Sequence, residues 1–187
     1  MKCRCICFSF ISSHYSRKGR ILPDGILLPM RVLGIDPGLA TTGIGLIEKN
    51  GRGACIALDW FVITTPPTLG LPERLMEIAT DLEASIRKYA PDLVVIEKLF
   101  FSTNKKTAID VAQARGAMVL TVARCSIPLI EATPLQLKSG ITGDGRADKR
   151  QLQDMLMRIL TLSSRPEPDD AADALALALY GATANTP

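Results

Sequence analysis

The stretch Arg31-Val32-Leu33-Gly34-Ile35-Asp36-Pro37-Gly38 limits what this chain can fold into more than any other. Val32, Leu33 and Ile35 have the aliphatic, β-branched character of a buried strand. The run ends in a carboxylate, and Pro37-Gly38 turns the chain at once. A second apolar run, Ile44 to Ile47, follows the segment LATTGIG, so the two predict a hairpin. A carboxylate at the end of an apolar strand is costly to bury without a partner. Taken alone, Asp36 reads as the capping residue of an Asp-Pro-Gly turn. Carboxylates further along the chain change that reading.

Strands are expected at 31–36, 43–49 and 54–63, with Asn50-Gly51 as the turn between the last two. Pro66-Pro67 mark a loop. Leu71, Leu75, Ile78, Leu82 and Ile86 then recur at helical spacing, with Pro72 and Glu73 in the first turn and Pro91 as the stop. Asp92 to Glu97 (DLVVIE) is a second buried strand that ends in a carboxylate. A strand reached through a helical crossover lies parallel to its neighbour. Placed beside 31–36, it brings Asp36 and Glu97 to one edge of the sheet.

A loop at 98–104, with Asn104 as N-cap, leads into a helix that reaches about Arg124. A short strand is expected at 127–132. Within residues 133–150 no regular element is expected before Lys149. Thr133-Pro134 is followed by Lys138 and the glycine-spaced run Gly140 to Arg146, where backbone can approach a phosphate closely and basic residues can pair with it. The plainer alternative is a flexible turn with solvated charges. Lys149 and Arg150 open a helix whose apolar stripe is Leu152, Met155, Leu156, Ile159 and Leu160. The last helix begins at Asp169. Asp169 and Asp170 suit its first turn, whereas Asp173 lies past the cap in a run rich in Ala and Leu. Burial of Asp173 is expected, and Asp170 and Asp173 share a helix face. A buried Asp one turn from another calls for a cation.

The 187 residues, 47% of them hydrophobic, fit one domain of ordinary size. No apolar run approaches the roughly 18 residues of a membrane span. Net charge is +3, but residues 1–29 carry five basic residues against one acidic, which leaves the remainder slightly negative. Any nucleic-acid footprint on the folded body must therefore be a local patch. Segment 98–124 offers one, with Lys98, Lys105, Lys106, Arg115 and Arg124 against Asp110. Cys3, Cys5, Cys7, Cys55 and Cys125 form an odd set with no secretory signal, which fits reduced thiols in the cytoplasm. Cys3, Cys5 and Cys7 with His14, the one His in the chain, match no standard zinc spacing. Residues 1–29 show no periodic apolar face and are expected to be a disordered extension. The folded domain is expected at 30–182, with a tail at 183–187. A form that starts at Met30 is expected to behave as the full chain does.

Asp36, Glu97, Asp170 and Asp173 are thus candidates for one place. Packed together without metal they would repel, and some would stay protonated. Mg²⁺ or Mn²⁺ makes sense of the cluster, because hard cations take oxygen ligands. Two such ions about 4 Å apart can activate a water and stabilise the leaving oxygen of a phosphodiester. Bound metal would also reverse the local charge and admit a phosphate.

Five pieces resemble the RuvC-type Holliday junction resolvases: VLGIDPG with the following TG, the strand end VVIE, Gln113-Ala114-Arg115-Gly116, TPLQLKSGITGDGRADK at 133–149, and DAADALALAL at 170–179. Each is weak alone, and their order and spacing are specific together. The resemblance runs from Met30 to about Ala182 and leaves residues 1–29 uncovered. It implies an α/β fold of the RNase H-like kind, a mixed five-stranded sheet flanked by helices. It implies a homodimeric endonuclease that cuts two opposed strands of a four-way junction with Mg²⁺ or Mn²⁺ in DNA recombination and repair. Junction-binding and branch-migration proteins are the implied partners. Carried over by position, the metal-binding catalytic residues are Asp36, Glu97, Asp170 and Asp173. Lys138, Lys149 and Arg115 are the basic DNA contacts. Phe100 is the aromatic that stacks on unpaired bases at the junction centre. Three competing readings are another RNase H-like enzyme such as a ribonuclease H or an integrase, an actin-like nucleotide-binding protein, and a junction protein that binds without cutting. The actin-like fold usually needs two similar domains, and the complete carboxylate set argues against a protein that only binds.

Overall fold

A computed structural model describes residues 28–99 and 105–184, leaving out the side chains of 105–107. The strands are β1 (Met30–Asp36), β2 (Thr41–Lys49), β3 (Cys55–Thr64), β4 (Leu93–Glu97) and β5 (Leu129–Ala132). The helices are α1 (Leu71–Tyr89), α2 (Lys105–Arg124), α3 (Pro134–Thr142), α4 (Lys149–Leu160) and α5 (Asp169–Ala184). The strands form one mixed sheet in the order β3-β2-β1-β4-β5. The first three make an antiparallel meander. The helical crossover through α1 returns β4 parallel to β1, and α2 returns β5 parallel to β4. The expected mixed five-stranded sheet is therefore the one observed.

Side-chain alternation along β1 builds both layers of the core. Val32 faces a cluster formed with Val95, α5, α3 and α4. Leu33 and Ile35 face the opposite cluster, made with Ile78, Leu82 and Ile86 of α1 and Met118 and Val122 of α2. α5 is the most deeply buried helix. Ten of its residues, from Ala171 to Ala182, are buried, which accounts for its nearly all-round Ala and Leu composition.

Two local details differ from expectation. The turn between β2 and β3 is a longer loop than an Asn-Gly hairpin. Asn50 Oδ1 accepts from the main-chain N–H groups of Arg52 and Ala54, and Gly53, at φ 89°, takes the left-handed position. Residues 133–150 also contain a helix that the glycines concealed. α3 starts at a capping box, in which Thr133 accepts from the Gln136 N–H and the Gln136 side chain accepts from the Thr133 N–H. Pro134 follows the cap, where a missing N–H does no harm. The signal Thr-x-x-Gln was present in the sequence. Gly140 sits inside this helix against the Tyr180 ring, and Gly143, at φ 79°, ends it.

Candidate active site

Strand register places the first two carboxylates. Ile35 of β1 pairs with Ile96 of β4, so Asp36 and Glu97 follow side by side at the ends of parallel strands. Alternation then gives their direction. Asp36 shares parity with Val32, and Glu97 with Val95, and both valines face α5. Both carboxylates thus rise on the side where α5 lies.

Three glycines seat that helix. A Cβ at Gly34 would lie 1.9 Å from the Ala174 carbonyl oxygen, and one at Gly45 would lie 2.4 Å from Leu175 Cα. A Cβ at Gly43 would lie 1.9 Å from the Asp170 carbonyl oxygen. Gly43 is the antiparallel partner of Asp36. The first turn of α5 therefore rests directly on the strand end that carries Asp36. The same turn carries Asp170 and, one turn on, Asp173.

The electrostatics record this convergence. The Asp36 carboxyl is pushed from 3.8 up to about 8, first by burial, then by the charges of Glu97, Asp173 and Asp170, and by a hydrogen bond with Glu97. Glu97 is also raised, by burial and then by Asp173, while its hydrogen bond with Asp36 pulls it back down. Without a cation, Asp36 thus keeps a proton at neutral pH and shares it with Glu97. Asp173 is raised by burial, with Lys149 acting against the rise. Its side chain remains 34% exposed, so it is less buried than its helix suggested.

Lys149 is the basic residue that the fold brings to the cluster. Its Nζ stands 3.1 Å from Asp173 Oδ2 and 3.3 Å from Asp169 Oδ2. Lys138 lies half-buried on α3 and is not among the charges that act on the carboxylates. Arg115 has intramolecular work. Its Nε donates to the main-chain oxygen of Glu97 at 3.0 Å, and its guanidinium pairs with Glu131 of β5. Its side chain is 18% exposed. Arg115 so ties α2 to the end of β4, a positioning role that the basic-patch reading did not foresee. Phe100, Asn104 and the extension 1–27 lie outside the described residues.

The donor set fits a hard divalent cation: four carboxylates, of which Asp36 and Glu97 must hold a proton between them when no cation is present. Among the described residues no three His, Cys, Asp or Glu side chains are already closed around a point for an ion. Asp36 and Glu97 instead hold each other, and Asp173 holds Lys149. A cation would have to displace the shared proton and gather the oxygens.

The chain matches the family Crossover junction endodeoxyribonuclease RuvC over residues 32–180. It is 51% identical over 150 residues to the crossover junction endodeoxyribonuclease RuvC of Alkaliphilus oremlandii, an alignment spanning 80% of this chain and 91% of that one. The structure is similar to that of Thermus thermophilus RuvC, with a TM-score of 0.76 and 32% identity over 82% of this chain and 94% of the other. It is equally similar to Thermus thermophilus RuvC in complex with a Holliday junction substrate, with a TM-score of 0.75, 29% identity and the same coverage.

Proposed function

The chain belongs to the RuvC family of crossover junction endodeoxyribonucleases, and from that premise we propose that Asp36, Glu97, Asp170 and Asp173 are its catalytic, metal-binding carboxylates. The family is divalent-metal-dependent, and the protein is an endonuclease that resolves Holliday junctions. The observation that carries the site assignment is the seating of α5. Gly43 puts the Asp170 backbone against the strand paired with Asp36 on one side, while Glu97 follows on the strand paired with β1 on the other. Mg²⁺ is the cation of this reading and Mn²⁺ its alternative. Either supplies activation of the attacking water and stabilisation of the leaving oxygen.

The protein's own groups do the rest. Asp36 and Glu97 give up their shared proton to become oxygen donors at the strand ends. Asp170 and Asp173 close the site from the helix. Partial burial of these groups strengthens their interaction with positive charge. Lys138 and Lys149 bind the backbone of the cut strand. Phe100 stacks on bases at the junction centre. Two copies cut the two opposed strands. Ile109, Gly116 and Leu120 line one face of α2, and the 66% and 59% exposure of Ile109 and Leu120 suits a second copy. Residues 30–182 form the working unit, the protein acts in the cytoplasm, and junction-binding and branch-migration proteins are its partners. No helix among the described residues is long and apolar enough to cross a membrane.

The test is cleavage of a synthetic four-way junction with and without Mg²⁺, with the cut strands mapped. Paired nicks on two opposed strands are expected, and chelation should abolish them. Asp36→Asn should bind the junction without cutting it. Cutting of an RNA–DNA hybrid in preference to the junction would move the protein to another RNase H-like activity. Robust cleavage by Asp36→Asn would remove that residue from the site.

A further inference from the structure

Lys149 has carboxylate partners that the sequence alone did not reveal. It is the first residue of α4, directly after the N-cap Asp148, and Arg150 follows it. Cations at a helix N-terminus run against the macrodipole, and on α4 itself the capping Asp148 is the acidic group at that end. Further compensation comes from α5. Lys149 Nζ lies 3.1 Å from Asp173 and 3.3 Å from Asp169. Gln153, one turn further along α4, donates to Asp169 at 3.3 Å. Two residues four apart on α4 thus meet two residues four apart on α5, and this sets the angle from which the lysine enters the cluster.

We propose that the Lys149 ammonium is an internal counter-cation that occupies Asp173 in the metal-free enzyme and competes with the divalent cation for it. The inference rests on the carboxylate assignment above and deepens it. One Asp173 carboxylate cannot give the same oxygen fully to an ammonium and to a metal ion. A divalent cation held by Asp173 would draw the carboxylate's charge away from the ammonium and loosen its hold on Lys149. The loosened ammonium is then available, one side-chain length from the cluster, for the phosphate that the metal admits. In this arrangement Lys149 is a positioning residue that sets how readily the site loads, in addition to its contact with DNA.

The experiment measures Mn²⁺ affinity of the full chain without DNA, by the paramagnetic resonance signal of the free ion. Wild type is compared with Lys149→Met, Arg150→Met and Asp36→Asn. Methionine keeps the apolar stem and removes the charge. Arg150→Met removes the same charge one residue along, from an exposed position. Lys149→Met should bind Mn²⁺ about fivefold more tightly than wild type, the scale set by loss of one partly exposed ion pair. Arg150→Met should stay within about twofold of wild type, which would make the effect one of occupancy and not of net charge. Unchanged or weaker binding by Lys149→Met, or equal tightening by Arg150→Met, would overturn the proposal. If Asp36→Asn loses the Mn²⁺ site while Lys149→Met leaves it unchanged, the counter-cation role alone fails. If wild type shows no site that Asp36→Asn removes, the carboxylate assignment fails and the counter-cation role fails with it.

Discussion

The two faces of the sheet are built on opposite terms. On the face of α1 and α2, Leu33, Ile35, Ile44, Leu46 and Ile63 meet Ile78, Leu82, Ile86, Met118 and Val122 through interdigitating side chains. On the face of α5, Gly34, Gly43 and Gly45 let helix backbone rest on strand backbone. Side-chain packing can relax around a change, since methylene groups shift and rotamers adapt. Backbone set on backbone cannot. Both faces bury a hydrophobic core and so both contribute to stability. The second also governs where Asp170 and Asp173 stand relative to Asp36 and Glu97.

That division is open to attack by substitution, ranked here by the effect on cleavage per folded molecule. Gly43→Ala should have the largest effect. Its Cβ would meet the Asp170 carbonyl oxygen at 1.9 Å, so the first turn of α5 must move. A displacement of about 1 Å can lower rate on the order of 10²-fold, and the strain should remove about 1–3 kcal/mol of stability. Single-turnover cleavage alongside thermal melting would show both losses. A variant that melts lower yet cuts normally would break the comparison.

Arg115→Ala comes next. It frees the end of β4 at Glu97, and loss of such a supporting contact lowers activity by about 10–100-fold. Junction affinity and its salt dependence should hold while turnover falls. A flattened salt slope would instead make Arg115 a DNA contact, as the basic patch of segment 98–124 suggested. Ile78→Ala attacks the other face. It should remove about 2–5 kcal/mol of stability, with cleavage per folded molecule unchanged well below the melting temperature. The smallest effect belongs to a chain that starts at Met30. Among the described residues, both cores and every strand of the sheet begin at Met30 or later. Its melting temperature and its cleavage at physiological salt should match the full chain, and a clear drop in either would place residues 1–29 in the working protein.

Much of this was legible in the sequence because the strong signals were local. The apolar runs that end in Asp36 and Glu97, and the single crossover between them, fixed two strand ends side by side. The final helix announced itself by composition. Three things were hidden. α3 lay behind glycines that read as a loop, although Thr133 and Gln136 marked its start. Gly34, Gly43 and Gly45 are unremarkable in a strand until the helix that touches them is known, because close approach is a tertiary fact. The partners of Arg115 and Lys149 were also beyond reach. A basic residue near acidic and phosphate-binding segments looks the same whether it points at DNA, at a main-chain oxygen or at Asp173.

Thermal stability against pH, with chelator and with Mg²⁺, tests the central claim most directly, for wild type and Asp36→Asn. Asp36 is raised from 3.8 to about 8 in the folded protein. The folded state then holds more protons than the unfolded state between those values, so stability must fall as pH rises. Wild type in chelator should lose stability from about pH 4 and level off above about pH 8, with Glu97 and Asp173 adding to the fall in the same direction. Asn carries no titrating proton, so Asp36→Asn should show a shallower slope and melt higher than wild type at pH 8. Mg²⁺ should restore wild type at that pH and do little for the variant. Parallel pH profiles for the two proteins in chelator, or equal stabilisation of both by Mg²⁺, would mean that Asp36 is no part of a shared carboxylate site.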